Sequence, residues 1–139
     1  MFVSLYQLLQ NTKMIDYTLL SQCPVFRGIS AADAENLLKQ VHFQLRKFLK
    51  DEIVVVAGES VANLNIVLSG SVRGEMIDYS GKTIKIEDVE APKPLAAAFL
   101  FGQDNKFPVT VTANEKCSIL VIPVGEFLKL LQMNSQILR

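Results

Sequence analysis

The feature that most constrains the fold is a change in the spacing of apolar residues near position 41. Before it, apolar side chains recur at helical spacing; after it, they alternate every second residue, as Val41, Phe43 and Leu45 do. Short β-rich runs then follow one another, with turn residues between them: 53–57, 65–68, 71–78, 83–89, 109–113 and 118–122. Many short strands separated by turns are typical of a β-sandwich or barrel.

Helical segments are predicted on both sides of this mainly β region. Ser30 is placed as the N-cap of a helix that carries Ala34, Leu37 and Leu38 on one face. A short internal helix is predicted at about residues 95–101, because Pro and Ala residues lead into it and a Gly follows. We therefore expect one domain over 1–139, with an N-terminal helical segment (1–40), a β-roll (41–123) and a C-terminal helix (125–138).

Composition and charge limit the possible functions. Lys and Arg number 14 and Asp and Glu number 14, so the net charge is zero. A protein that binds nucleic acid by itself usually carries a basic excess, because phosphate neutralisation supplies most of its affinity. We therefore expect no DNA-binding part within these residues. The apolar start lacks a basic region and a cleavage site, and no apolar run approaches the roughly 18 residues that cross a bilayer, so no membrane contact and a cytoplasmic location are expected.

The side chains that metal and nucleophilic chemistry need are few. The chain has two cysteines, Cys23 and Cys117, and one histidine, His42, which the strand alternation turns outward. We expect two buried, reduced thiols, with one disulfide still possible, and no metal or other cofactor. Catalytic triads would all need His42, so no catalytic residue and no enzyme activity are predicted. The acidic residues at 87, 88 and 90 are interpreted as a solvated charge run.

Several segments carry a family resemblance by their order and spacing. They are residues 23–30 (CPVFRGIS), 51–72 with Leu68-Ser69-Gly70, and 110–128. Together they resemble the cyclic-nucleotide-binding domains of Crp/Fnr transcription regulators. The resemblance implies a double-stranded β-helix, a jelly-roll-like β-roll, that senses an effector. It also implies a dimer helix and a DNA-binding helix-turn-helix beyond Arg139. We thus expect a homodimer for the intact protein and a monomer or weak dimer for this chain.

The ligand motif of that family is not matched. In the family a Gly-Glu pair opens a short helix, and an Arg about ten residues later holds the cyclic phosphate. Counting back from Thr110 and Val111, the resemblance places Phe107 at the Arg position and Ala96 and Ala97 near the Gly-Glu positions. The cation and the carboxylate are both missing. Cyclic AMP is therefore not expected to bind in the usual way.

Three alternatives remain for the segment that replaces this motif. It can form an apolar pocket for an unknown small effector, a collapsed plug that binds nothing, or a site that keeps nucleotide binding through Lys93 or Lys106 as anion contacts. A stand-alone module that binds a ligand or a protein and has no DNA-binding role is the alternative to a regulator domain. The predicted pocket residues are Leu95, Ala96, Ala97, Ala98, Phe99, Phe107, Val109 and Thr110.

Overall fold

The structure of the protein, a computed structural model, describes residues 15–95 and 105–134. Short helices come first: α1 (Tyr17–Leu20), a 3₁₀ helix (Pro24–Phe26) and α2 (Ala31–Leu38). The helix α3 (Val124–Met133) follows the last strand. The strands between them are β1 Gln44–Phe48, β2 Ile53–Val55, β3 Asn63–Ser69, β4 Ser71–Ile77, β5 Thr83–Glu90, β6 Lys93–Leu95, β7 Thr110–Ala113 and β8 Cys117–Pro123.

These strands form two four-stranded sheets. The first sheet has the order β1-β8-β3-β6 and the second has the order β2-β7-β4-β5. Neighbouring strands are antiparallel in both sheets. Strands from the early and late parts of the chain are therefore neighbours in each sheet, as in a jelly-roll. The predicted mainly β fold with flanking helices is confirmed.

The core lies on both sides of the first sheet. Its central strands β3 and β8 are buried on both faces, which explains their nearly continuous apolar runs. Phe26, from the 3₁₀ helix, and Phe127 and Leu130, from α3, are fully buried within the same core. The helices therefore cover the face of the first sheet that does not pack against the second sheet.

The helix ends follow local sequence signals. Ser30 caps α2, since its Oγ accepts a hydrogen bond from the backbone N–H of Asp33 at 3.1 Å. The start of α3 is tied to the segment before β1, because Glu126 accepts a hydrogen bond from the N–H of exposed His42 at 3.1 Å. The predicted cap and the predicted outward histidine are confirmed. No helix in the described ranges is long and apolar enough to cross a membrane.

The structure differs from the sequence-based prediction at the internal helix. The predicted helix is wrong at its first residue, because Lys93–Leu95 form β6 and pair with Val67, Ile66 and Asn65 of β3. Pro94 is tolerated there because β6 is an edge strand, where a missing N–H breaks no ladder on the open side. Residues 96–101 of that prediction lie outside the described residues. The predicted C-terminal helix ends earlier than expected, because α3 stops at Met133 and Asn134 has an extended backbone. Residues 1–14 of the predicted N-terminal helical segment and 135–138 of the predicted C-terminal helix also lie outside the described residues.

Candidate effector site

A cavity of about 240 Å³ lies between β4 and β5 of the second sheet and β6 at the edge of the first. The segment that leads into β7 closes it. The described walls are largely apolar, and their residues are Val72, Gly74, Glu87, Asp88, Val89, Lys93, Pro94, Leu95, Phe107, Pro108, Val109 and Val111. A concave apolar space with a few polar groups is the usual form of a small-molecule site.

Gly74 allows two walls of this cavity to come close together. A Cβ at this position would lie 3.0 Å from Cγ2 of Val109 and 3.8 Å from Cγ of Glu87. Any side chain here would therefore have to push Val109 aside. The glycine lets β4 lie directly under the segment that enters β7, with the Glu87 side chain beside it.

Four of the predicted residues line this cavity: Lys93 and Leu95 from β6, and Phe107 and Val109 from the segment before β7. Thr110 lies instead in a separate groove, and its Oγ1 accepts a hydrogen bond from the N–H of Ala57 at 3.0 Å.

The other predicted residues lie elsewhere. Lys106 pairs with Ser60 in an isolated β-bridge and is not among the residues that line the cavity. The remaining four, Ala96, Ala97, Ala98 and Phe99, lie outside the described residues.

Phe107 is fixed by its backbone as well as by burial. Its N–H donates to the carbonyl of Glu59 and its carbonyl accepts from the N–H of Gly58, each at 2.9 Å. The residue is only 4% exposed. The position at which the family resemblance expects a phosphate-binding Arg thus holds an aromatic ring, anchored to the loop between β2 and β3.

Three charged residues line the cavity, Glu87 and Asp88 on β5 and Lys93 on β6. The Asp88 carboxylate is paired with Lys85 and Asn114. The side chains of Glu87 and Lys93 make no hydrogen bond or ion pair with another described residue. Lys93 was considered from the sequence, whereas Glu87 was missed because it was interpreted as part of a solvated charge run. The available signal was its spacing of two from Val89, which puts both residues on the inner face of β5.

The outer face of the second sheet has a polar network that holds these strands in register. Arg73 of β4 donates to Glu75 at 2.7 Å and to Asp51 and Asn114 at 3.1 Å each. Asn114 also donates to Asp88 of β5 at 3.1 Å. The ion pair with Lys85, followed by this amide contact, lowers the pKa of Asp88. The charged groups behind the cavity are therefore paired with one another.

Neither cysteine is suited to nucleophilic chemistry. Cys23 and Cys117 are both buried and unpaired, as the sequence predicts. Burial raises the pKa of each thiol, so both stay protonated at neutral pH. Among the described residues, no group of three or more His, Cys, Asp or Glu side chains could hold a metal ion.

Comparison with known proteins identifies the class to which this fold and cavity belong. The family model for the cyclic nucleotide-binding domain matches residues 45–134. The chain therefore belongs to the cyclic nucleotide-binding domain family. No curated protein sequence matches the chain.

Solved structures of transcription regulators are similar to this chain. A transcriptional regulator from Thermotoga maritima is 33% identical, with a TM-score of 0.66, over 68% of this chain and 74% of the regulator. The sensor domain of the regulator DNR from Pseudomonas aeruginosa is 20% identical, with a TM-score of 0.71, over 86% of this chain and 79% of that one.

Some of the similar proteins are longer. A putative cyclic nucleotide binding protein from Ruegeria pomeroyi is 17% identical, with a TM-score of 0.70 over 87% of this chain, but the match spans only 52% of its own length. The fold of this chain is thus that of a cyclic nucleotide-binding domain, and the chain spans about half the length of that protein.

Proposed function

We propose that this chain is the effector-sensing domain of a Crp/Fnr-like transcription regulator, and that the cavity beside β6 is its effector site. The observation that carries the proposal is the convergence of Lys93, Leu95, Phe107 and Val109 on one cavity between the two sheets. These residues come from the segments that the family resemblance assigns to ligand binding. The fold alone would not support this function, whereas a cavity at this position does.

The same site argues against cyclic AMP as a ligand held in the family's usual way. An Arg–phosphate pair is charge-assisted and is worth about 2–3 kcal/mol, and Phe107 offers a phosphate no charge and no side-chain donor. The nearby carboxylate of Glu87 would repel an anion. Lys93 is the single cation on the described walls, and as a point charge it does not reproduce the planar, bidentate contact of Arg.

The regulatory role is supported by the similar structures and by charge. Proteins named as transcriptional regulators match this chain, and one match is to a sensor domain alone. Zero net charge suits a sensing part better than a DNA-binding part. DNA binding by a further domain, a homodimer of the intact protein, a cytoplasmic location and the absence of catalysis belong to this proposal.

The reading frame of the gene tests the regulator half of the proposal. We expect it to continue past Arg139 for about 80 residues with a helix-turn-helix pattern, as the size of such DNA-binding domains suggests. A stop codon directly after Arg139 would contradict a regulator and would favour a stand-alone binding module.

A further inference from the structure

We infer that the cavity takes a small zwitterion with an apolar side chain, an apolar amino acid, whose ammonium group meets Glu87 and whose carboxylate meets Lys93. This inference rests on the proposed function, because it takes the cavity to be the effector site. It goes further by naming the chemical class of the effector.

The size of the cavity favours a small molecule. Its volume is about 240 Å³. One water molecule occupies about 30 Å³ in the liquid, so this space corresponds to about eight water molecules. That is below the 300–1,000 Å³ of typical drug-sized sites. An amino acid is small enough for such a space.

The apolar walls of the cavity favour a ligand with an apolar side chain. Val72, Val89 and Val111 come from three strands of the second sheet, and Leu95 and Phe107 face them. Val72, Leu95, Phe107 and Val111 are each 5% exposed or less. An aliphatic side chain of the ligand placed among them would be removed from water without covering many polar groups of the walls. The hydrophobic effect favours this transfer.

The two charged groups define the polar end of the ligand. Glu87 lies opposite Gly74 in the register of β4 and β5, and Lys93 lies opposite Val67 in the register of β6 and β3. One charge therefore comes from each sheet. Both side chains are exposed, and neither is paired with a described residue. Asp88, by contrast, is bonded to Lys85 and Asn114 on the outer face.

Opposite unpaired charges on one cavity select for a ligand that carries both signs. A ligand with only a cation would gain at Glu87 and lose at Lys93, and a ligand with only an anion would do the reverse. A zwitterion satisfies both groups with charge-assisted hydrogen bonds. Its net charge of zero also avoids leaving either side chain beside an uncompensated ligand charge.

The test uses three probes with the same branched apolar body. L-leucine carries both charges, 3-methylbutylamine keeps only the ammonium group, and 4-methylpentanoate keeps only the carboxylate. Each is titrated into ¹⁵N-labelled protein while the amide signals of Gly74, Val89 and Leu95 are followed. We expect L-leucine to bind at least about tenfold more tightly than either single-charge probe, since a hydrogen bond to a charged group contributes about that factor.

Two charge-removing variants test which charged group of the ligand contacts Glu87 and which contacts Lys93. Glu87→Gln should weaken L-leucine about tenfold and should tighten 4-methylpentanoate, because the carboxylate that repels this anion is gone. Lys93→Gln should weaken L-leucine and should tighten 3-methylbutylamine, because the ammonium group that repels this cation is gone. The matched controls are Glu90→Gln, on the outer face of the same strand, and Lys106→Gln, which does not line the cavity. Neither control should change any of the three affinities.

Three outcomes would overturn the inference: equal binding of the three probes, no binding of L-leucine at about 10 mM, which is well above a millimolar Kd, or equal losses in the control variants. Failure of the proposed function is a separate result. A stop codon after Arg139, together with the expected probe series, would remove the regulator and leave the amino acid as the ligand of a stand-alone module.

Discussion

At the turn between β3 and β4, Gly70 has a φ of +75°, and a Cβ built there would lie 2.5 Å from the carbonyl oxygen of Lys116. Gly81, in the turn between β4 and β5, has a similar φ of +82°, but a Cβ there would meet nothing within 4 Å. Comparing a side chain added at Gly70 with one added at Gly81 therefore distinguishes the free-energy cost of backbone strain from that of a steric clash. Both were predicted as turns from the sequence, but only the packed structure distinguishes them.

We expect Gly70→Ala to lower the free energy of unfolding by about 3 kcal/mol or more, because it adds a collision with backbone to a strained φ. Gly81→Ala should cost about 1 kcal/mol, since it meets the strain alone. Urea denaturation of both variants measures the difference. Equal losses would show that Gly70 is not held against the turn before β8.

Individual site residues could be predicted only in part. The family resemblance predicts Lys93, Leu95, Phe107 and Val109 as candidates because they lie near the ligand motif in the chain, and all four line the described cavity. Glu87 was missed, because its role depends on which face of β5 points inward. That face is set by pairing with β4, which shifts register between Gly74 and Glu75. The spacing of two between Glu87 and Val89 indicates that they share a face, but a one-residue shift in register decides which face of the sheet that is.

Among the elements, the β4–β5 hairpin has a titratable turn. Asp78 accepts hydrogen bonds from the Ser80 hydroxyl at 2.7 Å and from the N–H groups of Lys82 and Ser80 at 2.9 Å each. The Ser80 hydroxyl contributes most, followed by the Lys82 N–H, and together they lower the pKa of Asp78 from its ordinary 3.8. The carboxylate therefore stabilises the hairpin above pH 3.8, and this contribution is lost as the pH falls through the lower folded-state pKa.

We expect the unfolding free energy to fall less steeply below about pH 4 in Asp78→Asn than in the unchanged protein, because the amide keeps an acceptor oxygen but does not titrate. Denaturation series between about pH 2 and 6 measure the two slopes. Asp33→Asn, an exposed carboxylate in the first turn of α2, is the comparison variant. Identical slopes for Asp78→Asn and the unchanged protein would contradict the role of this turn.

Among the described elements, β6 begins where the sequence predicts a helix. Its sequence, Lys-Pro-Leu, leads into alanines, and both proline and alanine favour the start of a helix. The residues form a strand because they complete the edge of the first sheet beside β3, and this tertiary pairing outweighs local propensity. A strand of three residues is too short for alternation to reveal it.

For the whole molecule, the sequence predicts a mainly β fold between helices, since the change in apolar period is strong and strands and turns alternate regularly. The order of strands within two sheets does not follow from periodicity. Pairing of β1 with β8, and of β2 with β7, joins residues more than 50 positions apart. Such contacts depend on the packing of the complete chain. Only the family resemblance, and not the local pattern, implied the β-roll.

We propose that this cyclic nucleotide-binding domain keeps the fold and a cavity but lacks the contacts that hold a cyclic phosphate. Calorimetric titration of this chain with cyclic AMP, and then with cyclic GMP, tests that claim most directly. We predict no saturable heat, which corresponds to a Kd weaker than about 1 mM for either nucleotide. Saturable binding with a micromolar Kd would contradict it and would show that other residues replace the missing Arg at Phe107.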